Sequence, residues 1–77
     1  MSTFSVKVMW QNGHPASDVG VMILYLGLLS GHDEKRTGHD GWVTFKNYDN
    51  QPGEIWVHGH NFGSHSLSDG KTYSFTI

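Results

Sequence analysis

The sequence predicts an all-β fold of two packed sheets, and three observations carry that prediction. Apolar and polar residues alternate with a period of two in Phe4-Ser5-Val6-Lys7-Val8-Met9-Trp10, in Trp42-Val43-Thr44-Phe45 and in Tyr73-Ser74-Phe75-Thr76-Ile77, the pattern of half-buried strands. Turn-forming pairs, Asn12-Gly13, Asp40-Gly41, Pro52-Gly53 and Asp69-Gly70, punctuate the chain, as they do between short strands. No long stretch repeats apolar residues at i, i+3 and i+4, so no amphipathic helix is expected.

Residues 1–77 are expected to form a single domain. A chain of 77 residues has room for one core, because it buries only about 60 % of its unfolded surface. There is no cysteine and therefore no disulfide framework, while 13 % aromatic residues supply large side chains for a small β core. Five basic residues against seven acidic ones, scattered along the chain, argue against nucleic acid, whose capture needs concentrated positive charge. The N-terminus carries no positive segment followed by an apolar one, and the longest apolar run, Val21 to Leu26, is far short of the ~20 residues of a membrane span. The expected location is therefore cytoplasmic before any export, with no membrane partner.

Taken in order, the first strand buries one face through Phe4, Val6, Val8 and Trp10. Asn12-Gly13-His14-Pro15 then breaks the ladder, since Pro15 has no N–H to donate. Val19 to Leu26 is apolar on both faces, as in a central strand or one covered on both sides. Gly27-Leu28-Leu29-Ser30-Gly31-His32 places two leucines where turns usually carry polar residues; either they fold back onto the core, as burial preferences favour, or they form an apolar tip that is a candidate protein-contact site. Asp33-Glu34-Lys35-Arg36 reads as a solvated edge or loop whose mixed charge discourages aggregation.

Thr37-Gly38-His39-Asp40-Gly41 forms a polar turn feeding the strand from Trp42, with Val43 and Phe45 inward and Trp42 and Thr44 outward. After Pro52-Gly53, Ile55 and Val57 face inward while Glu54, Trp56, His58 and His60 face the other way. Asn61 to Gly70 is rich in Gly, Ser and Asn, anchored by Phe62 and Leu67. Lys71 to Ile77 closes the chain with Tyr73, Phe75 and Ile77 on one face. Five strands are clear in this pattern and two weaker ones complete a pair of antiparallel sheets packed as a sandwich.

The same punctuation resembles a known family. Gly13-His14-Pro15-Ala16 before Val19-Gly20-Val21, then Thr37 through Asp40-Gly41 to Phe45, then Pro52-Gly53-Glu54-Ile55-Trp56-Val57 look like the transthyretin-like (prealbumin-like) sandwich of the carboxypeptidase regulatory-domain type. The chain departs from the family pattern at Gly38, where Asp often follows Thr, leaving Asp40 as the turn-capping acid of a looser turn. The resemblance implies a seven-stranded Greek-key β-sandwich used as a folding, spacer or protein-contact module. Some short bacterial versions accompany secretion-machine tip proteins, so an accessory of a secretion or cell-surface assembly is implied. Fold likeness alone does not carry function.

Three site readings follow from the residues. The first is a non-enzymatic module contacting another protein, a further copy of this chain included, through Leu28, Leu29, Trp42 and Trp56, with no cofactor. The second is a divalent-metal site for zinc or copper: His58 and His60 on one strand face lie about 6.6 to 6.8 Å apart by the rise per residue, with His65, His39, His32 or Asp40 as a third ligand. The third is carbohydrate binding on a platform of Trp42 and Trp56, should their strands pair. Ser64-His65-Ser66 lacks the geometry of a nucleophilic triad, and the chain ends without the Tyr-Arg-Gly-Ser motif of the transthyretin-related hydrolases of 5-hydroxyisourate. No catalytic residues are assigned.

Overall fold

Alternating burial builds the molecule strand by strand. The structure, a computed structural model, describes residues 2–27, 31–47 and 51–77. It contains β1 (Ser2–Met9), β2 (Gly20–Tyr25), β3 (Gly31–Arg36), β4 (Trp42–Asn47), β5 (Gly53–Val57), β6 (His60–His65) and β7 (Thr72–Thr76). The order is β4-β1-β7 in a three-stranded sheet and β3-β2-β5-β6 in a four-stranded one. The all-β sandwich predicted from the sequence is thus what forms.

The core lies between the sheets. Phe4, Val6 and Val8 of β1 and Val43 and Phe45 of β4 meet Val21 and Ile23 of β2 and Ile55 and Val57 of β5, all of them buried. Phe4 and Phe45, opposite one another in register, stack with ring centroids 5.6 Å apart. Fully burying such side chains contributes about 1.5–3 kcal/mol each before the entropy of ordering is subtracted.

Four local features differ from the sequence reading. β7 pairs with β1 in parallel, although the sequence predicted antiparallel sheets. β6 lies in the other sheet, so no hairpin sets the direction of β7. β5 ends at Val57, because His58 (φ 52°) and Gly59 (φ 81°) form a two-residue turn of the kind whose twist matches a hairpin. β6 occupies part of the Gly- and Ser-rich segment, carrying an extra residue: Glu54 and Trp56 pair with Ser64 and Asn61. Gly63, at φ 93°, accommodates that bulge. Trp10 falls beyond β1 and is exposed.

The connection between β1 and β2 is held from across the fold. Thr37 is buried, and its hydroxyl accepts a hydrogen bond from Val19 N–H (2.9 Å) and donates one to Ala16 O (2.6 Å). Arg36 adds an ion pair to the Asp18 carboxylate (2.7 Å) and donates to the Asp18 carbonyl. That second contact steadies a residue held at φ 55°. In the following turn Asp40 accepts from Trp42 N–H (3.1 Å), the capping role expected of it.

The two lateral sides of the sandwich are closed differently. On the β3/β4 side, Lys35 donates to Thr44 O (2.9 Å), and the Tyr25 hydroxyl donates to Asp33 (3.0 Å) beside the Lys46 carbonyl. On the β6/β7 side the closure is aromatic: Phe62 and Phe75 (4.8 Å) and His65 and Tyr73 (5.1 Å), all only partly buried.

Candidate functional site

The outer face of the four-stranded sheet carries a concavity. Because Val21, Ile23, Ile55 and Val57 point to the core, their neighbours Gly20, Met22, Glu54 and Trp56 necessarily point outward. Register brings Met22 opposite Trp56 on one side and Glu34 on the other, with Arg36 opposite Gly20. The absence of a side chain at Gly20 leaves open space, where an added Cβ would touch nothing within 4 Å. Gly20, Met22, Glu34, Arg36, Trp56 and His58 line an open hollow of about 280 Å³.

Its lining mixes the apolar surfaces of Met22 and Trp56 with the charged side chains of Glu34 and Arg36. The Trp56 indole N–H donates to Glu54 (3.3 Å), which fixes the ring, and Arg36 is already engaged by Asp18. Glu34 therefore brings a negative charge to the rim, beside a ring face able to attract a cation. The hollow has room for one long side chain. The β2–β3 pairing that places Glu34 and Arg36 beside Met22 is a tertiary fact. In the sequence those two residues read only as part of a charged run.

The sequence-derived site residues separate. Trp42 lies on β4 and Trp56 on β5, strands of different sheets, and each faces away from the core. The indoles are on opposite outer faces of the sandwich, so they make no common platform. Trp42, 39 % exposed, packs instead against its register partner Lys7, whose ammonium lies 5.6 Å from the ring centroid. Leu28 and Leu29 lie outside the described residues.

His58 and His60 do not share a strand face. His58 is in the β5–β6 turn, edge-on to Trp10 at 6.1 Å, and His60 opens β6 opposite Val57. The spacing from which a two-histidine site was expected is that of a continuous strand, and the turn replaces it. His65 is packed among Tyr73 and Phe75. Among the described residues no three His, Asp or Glu side chains are grouped so as to hold a metal ion.

Burial, then the hydrogen bond to Asp33 and that residue's negative charge, hold the Tyr25 hydroxyl well above its ordinary pKa. That perturbed group belongs to the bridge between sheets and is remote in kind from the hollow. Comparison with family models, with curated proteins and with solved structures finds no match to this chain.

Proposed function

We propose that the protein is a non-enzymatic contact module of the transthyretin-like, carboxypeptidase regulatory type, which binds another protein through the outer face of its four-stranded sheet. The observation that supports this reading is Trp56 standing beside Met22 over the gap at Gly20, with Glu34 on the rim. A large aromatic placed away from the core and backed by a hydrogen bond is the kind of anchor that dominates protein contacts. The complementary group is a lysine or arginine of the partner. Its stem would lie along Trp56 and Met22, and its head would meet Glu34.

The platform reading for carbohydrate required both indoles together, and the metal reading required both histidines on one strand, so neither is carried further. Selection of binders from a displayed peptide library tests the protein-contact reading. Selected peptides are expected to be enriched in Lys or Arg, to lose at least about tenfold in affinity with Trp56→Ala or Glu34→Gln, and to be indifferent to Trp42→Ala. A library that yields no binder, or binders unaffected by Trp56→Ala, would sink it.

A further inference from the structure

The four edges of the two sheets are not equally protected against pairing with another strand. β3 carries Asp33, Glu34, Lys35 and Arg36 and is exposed throughout. β4 has its Thr44 carbonyl engaged by Lys35. β6 is interrupted by the bulge at Gly63. These are the usual defences of an edge strand: charge, cover and irregularity. β7, Thr72-Tyr73-Ser74-Phe75-Thr76, has no charged residue, no proline and no bulge.

The hydrogen-bonding state of that edge follows from its ladder. Ser5 N–H donates to Lys71 O and Ile77 N–H donates to Met9 O. Odd-numbered residues therefore turn their backbone groups toward β1, and Thr72, Ser74 and Thr76 turn theirs away. These three residues are exposed, and among the described residues no strand pairs with β7 on that side. Directly beneath them Tyr73, Phe75, Phe62 and His65 are only partly covered. An unpaired ladder and an unfinished aromatic cluster thus coincide on one side of the molecule.

We infer that β7 is the interface of a symmetric homodimer, in which two copies pair antiparallel about a two-fold axis through Ser74. In that register Ser74 faces Ser74 of the second copy and Thr72 faces its Thr76. Every outward N–H and C=O of the three residues then finds a partner. Tyr73 comes opposite Phe75 of the second copy, extending the aromatic cluster across the axis. The outer face is lined by hydroxyls alone, so no like charges meet between Thr72 and Thr76, as an isologous contact requires. This edge is distinct from the hollow around Trp56, and the two proposals stand or fall separately.

Sedimentation over about 1 µM to about 1 mM, with amide hydrogen exchange on the same samples, tests the inference. The wild type is expected to pass from monomer to dimer, with the Thr72, Ser74 and Thr76 amides slowing as it does. Ser74→Lys puts two ammonium groups across the axis from an exposed position and should move the transition at least tenfold higher in concentration. Ser17→Lys, the same charge on the exposed β1–β2 connection, should not. Ser74→Pro removes an outward N–H without touching the β1 ladder and should also dissociate the dimer. Melting curves identify any variant that fails to fold, and the wild-type exchange pattern then decides. A wild type that stays monomeric throughout, equal effects of Ser74→Lys and Ser17→Lys, or unchanged exchange at the three amides would each overturn the inference.

Discussion

At the scale of single residues, two glycines with the same backbone sign have different tasks. Gly59 at φ 81° is in a turn where an added Cβ meets nothing, whereas a Cβ on Gly41 at φ 80° would come within 2.5 Å of the Val8 carbonyl oxygen. Gly59→Ala should therefore show the backbone cost alone, about 1 kcal/mol. Gly41→Ala should cost clearly more, because the obstructing atom is main chain that pairs with its own partners. Urea unfolding of both variants measures the difference, and equal costs would mean the Asp40-Gly41 turn is free to shift. Asp-Gly marks this turn in the sequence. The close approach of Val8 that makes the glycine obligatory comes from another strand and is not visible there.

At the scale of elements, legibility followed regularity. β1, β2 and β4 alternate cleanly because one face of each is buried, and that periodicity is written in the residues themselves. β6 escapes the pattern because its bulge offsets Phe62 and His65 by three positions rather than two. β5 appears too long because His-Gly, unlike Asn-Gly, does not announce the turn it makes. Trp42 and Trp56 were each assigned to the correct face, yet which strands lie side by side is non-local, so their separation could not be read from spacing. The hollow around Trp56 was invisible for the same reason.

One element is secured by a residue of mixed character. Thr37 bonds both ends of the short Ala16-to-Val19 segment, and valine matches its shape without its hydroxyl. Thr37→Val is expected to destabilise the fold by about 2 kcal/mol, since it leaves a buried N–H and a buried C=O unpaired. A shift in the urea midpoint without a change in slope would show that the native state is otherwise preserved. No shift would mean that water replaces the hydroxyl.

For the whole molecule, the β3/β4 side carries a group whose ionisation is shifted by folding. The Tyr25 hydroxyl ties β2 to Asp33 of β3 and approaches Lys46 of β4 in the opposite sheet. Its pKa is raised by folding, so its contribution is fully present below the ordinary tyrosine value of about 10 and is lost as pH climbs beyond it, where the unfolded chain ionises more readily. The melting temperature should fall above about pH 10. Tyr25→Phe should begin about 1 kcal/mol less stable at neutral pH and lose less on raising the pH. Parallel curves for the two proteins would assign the alkaline loss to another group.

The parallel pairing of β7 with β1 also sets a condition on biosynthesis. Ser5 to Met9 emerge from the ribosome well before their partners Thr72 to Thr76. Until then Val6 and Val8 belong to a sheet lacking one of its three strands, and the nascent chain must wait with that apolar row incompletely sheltered. Closing so distant a pair is slow by the standard of small domains, which makes the interval before Thr72 to Thr76 emerge the time of greatest exposure to chaperones and to premature association.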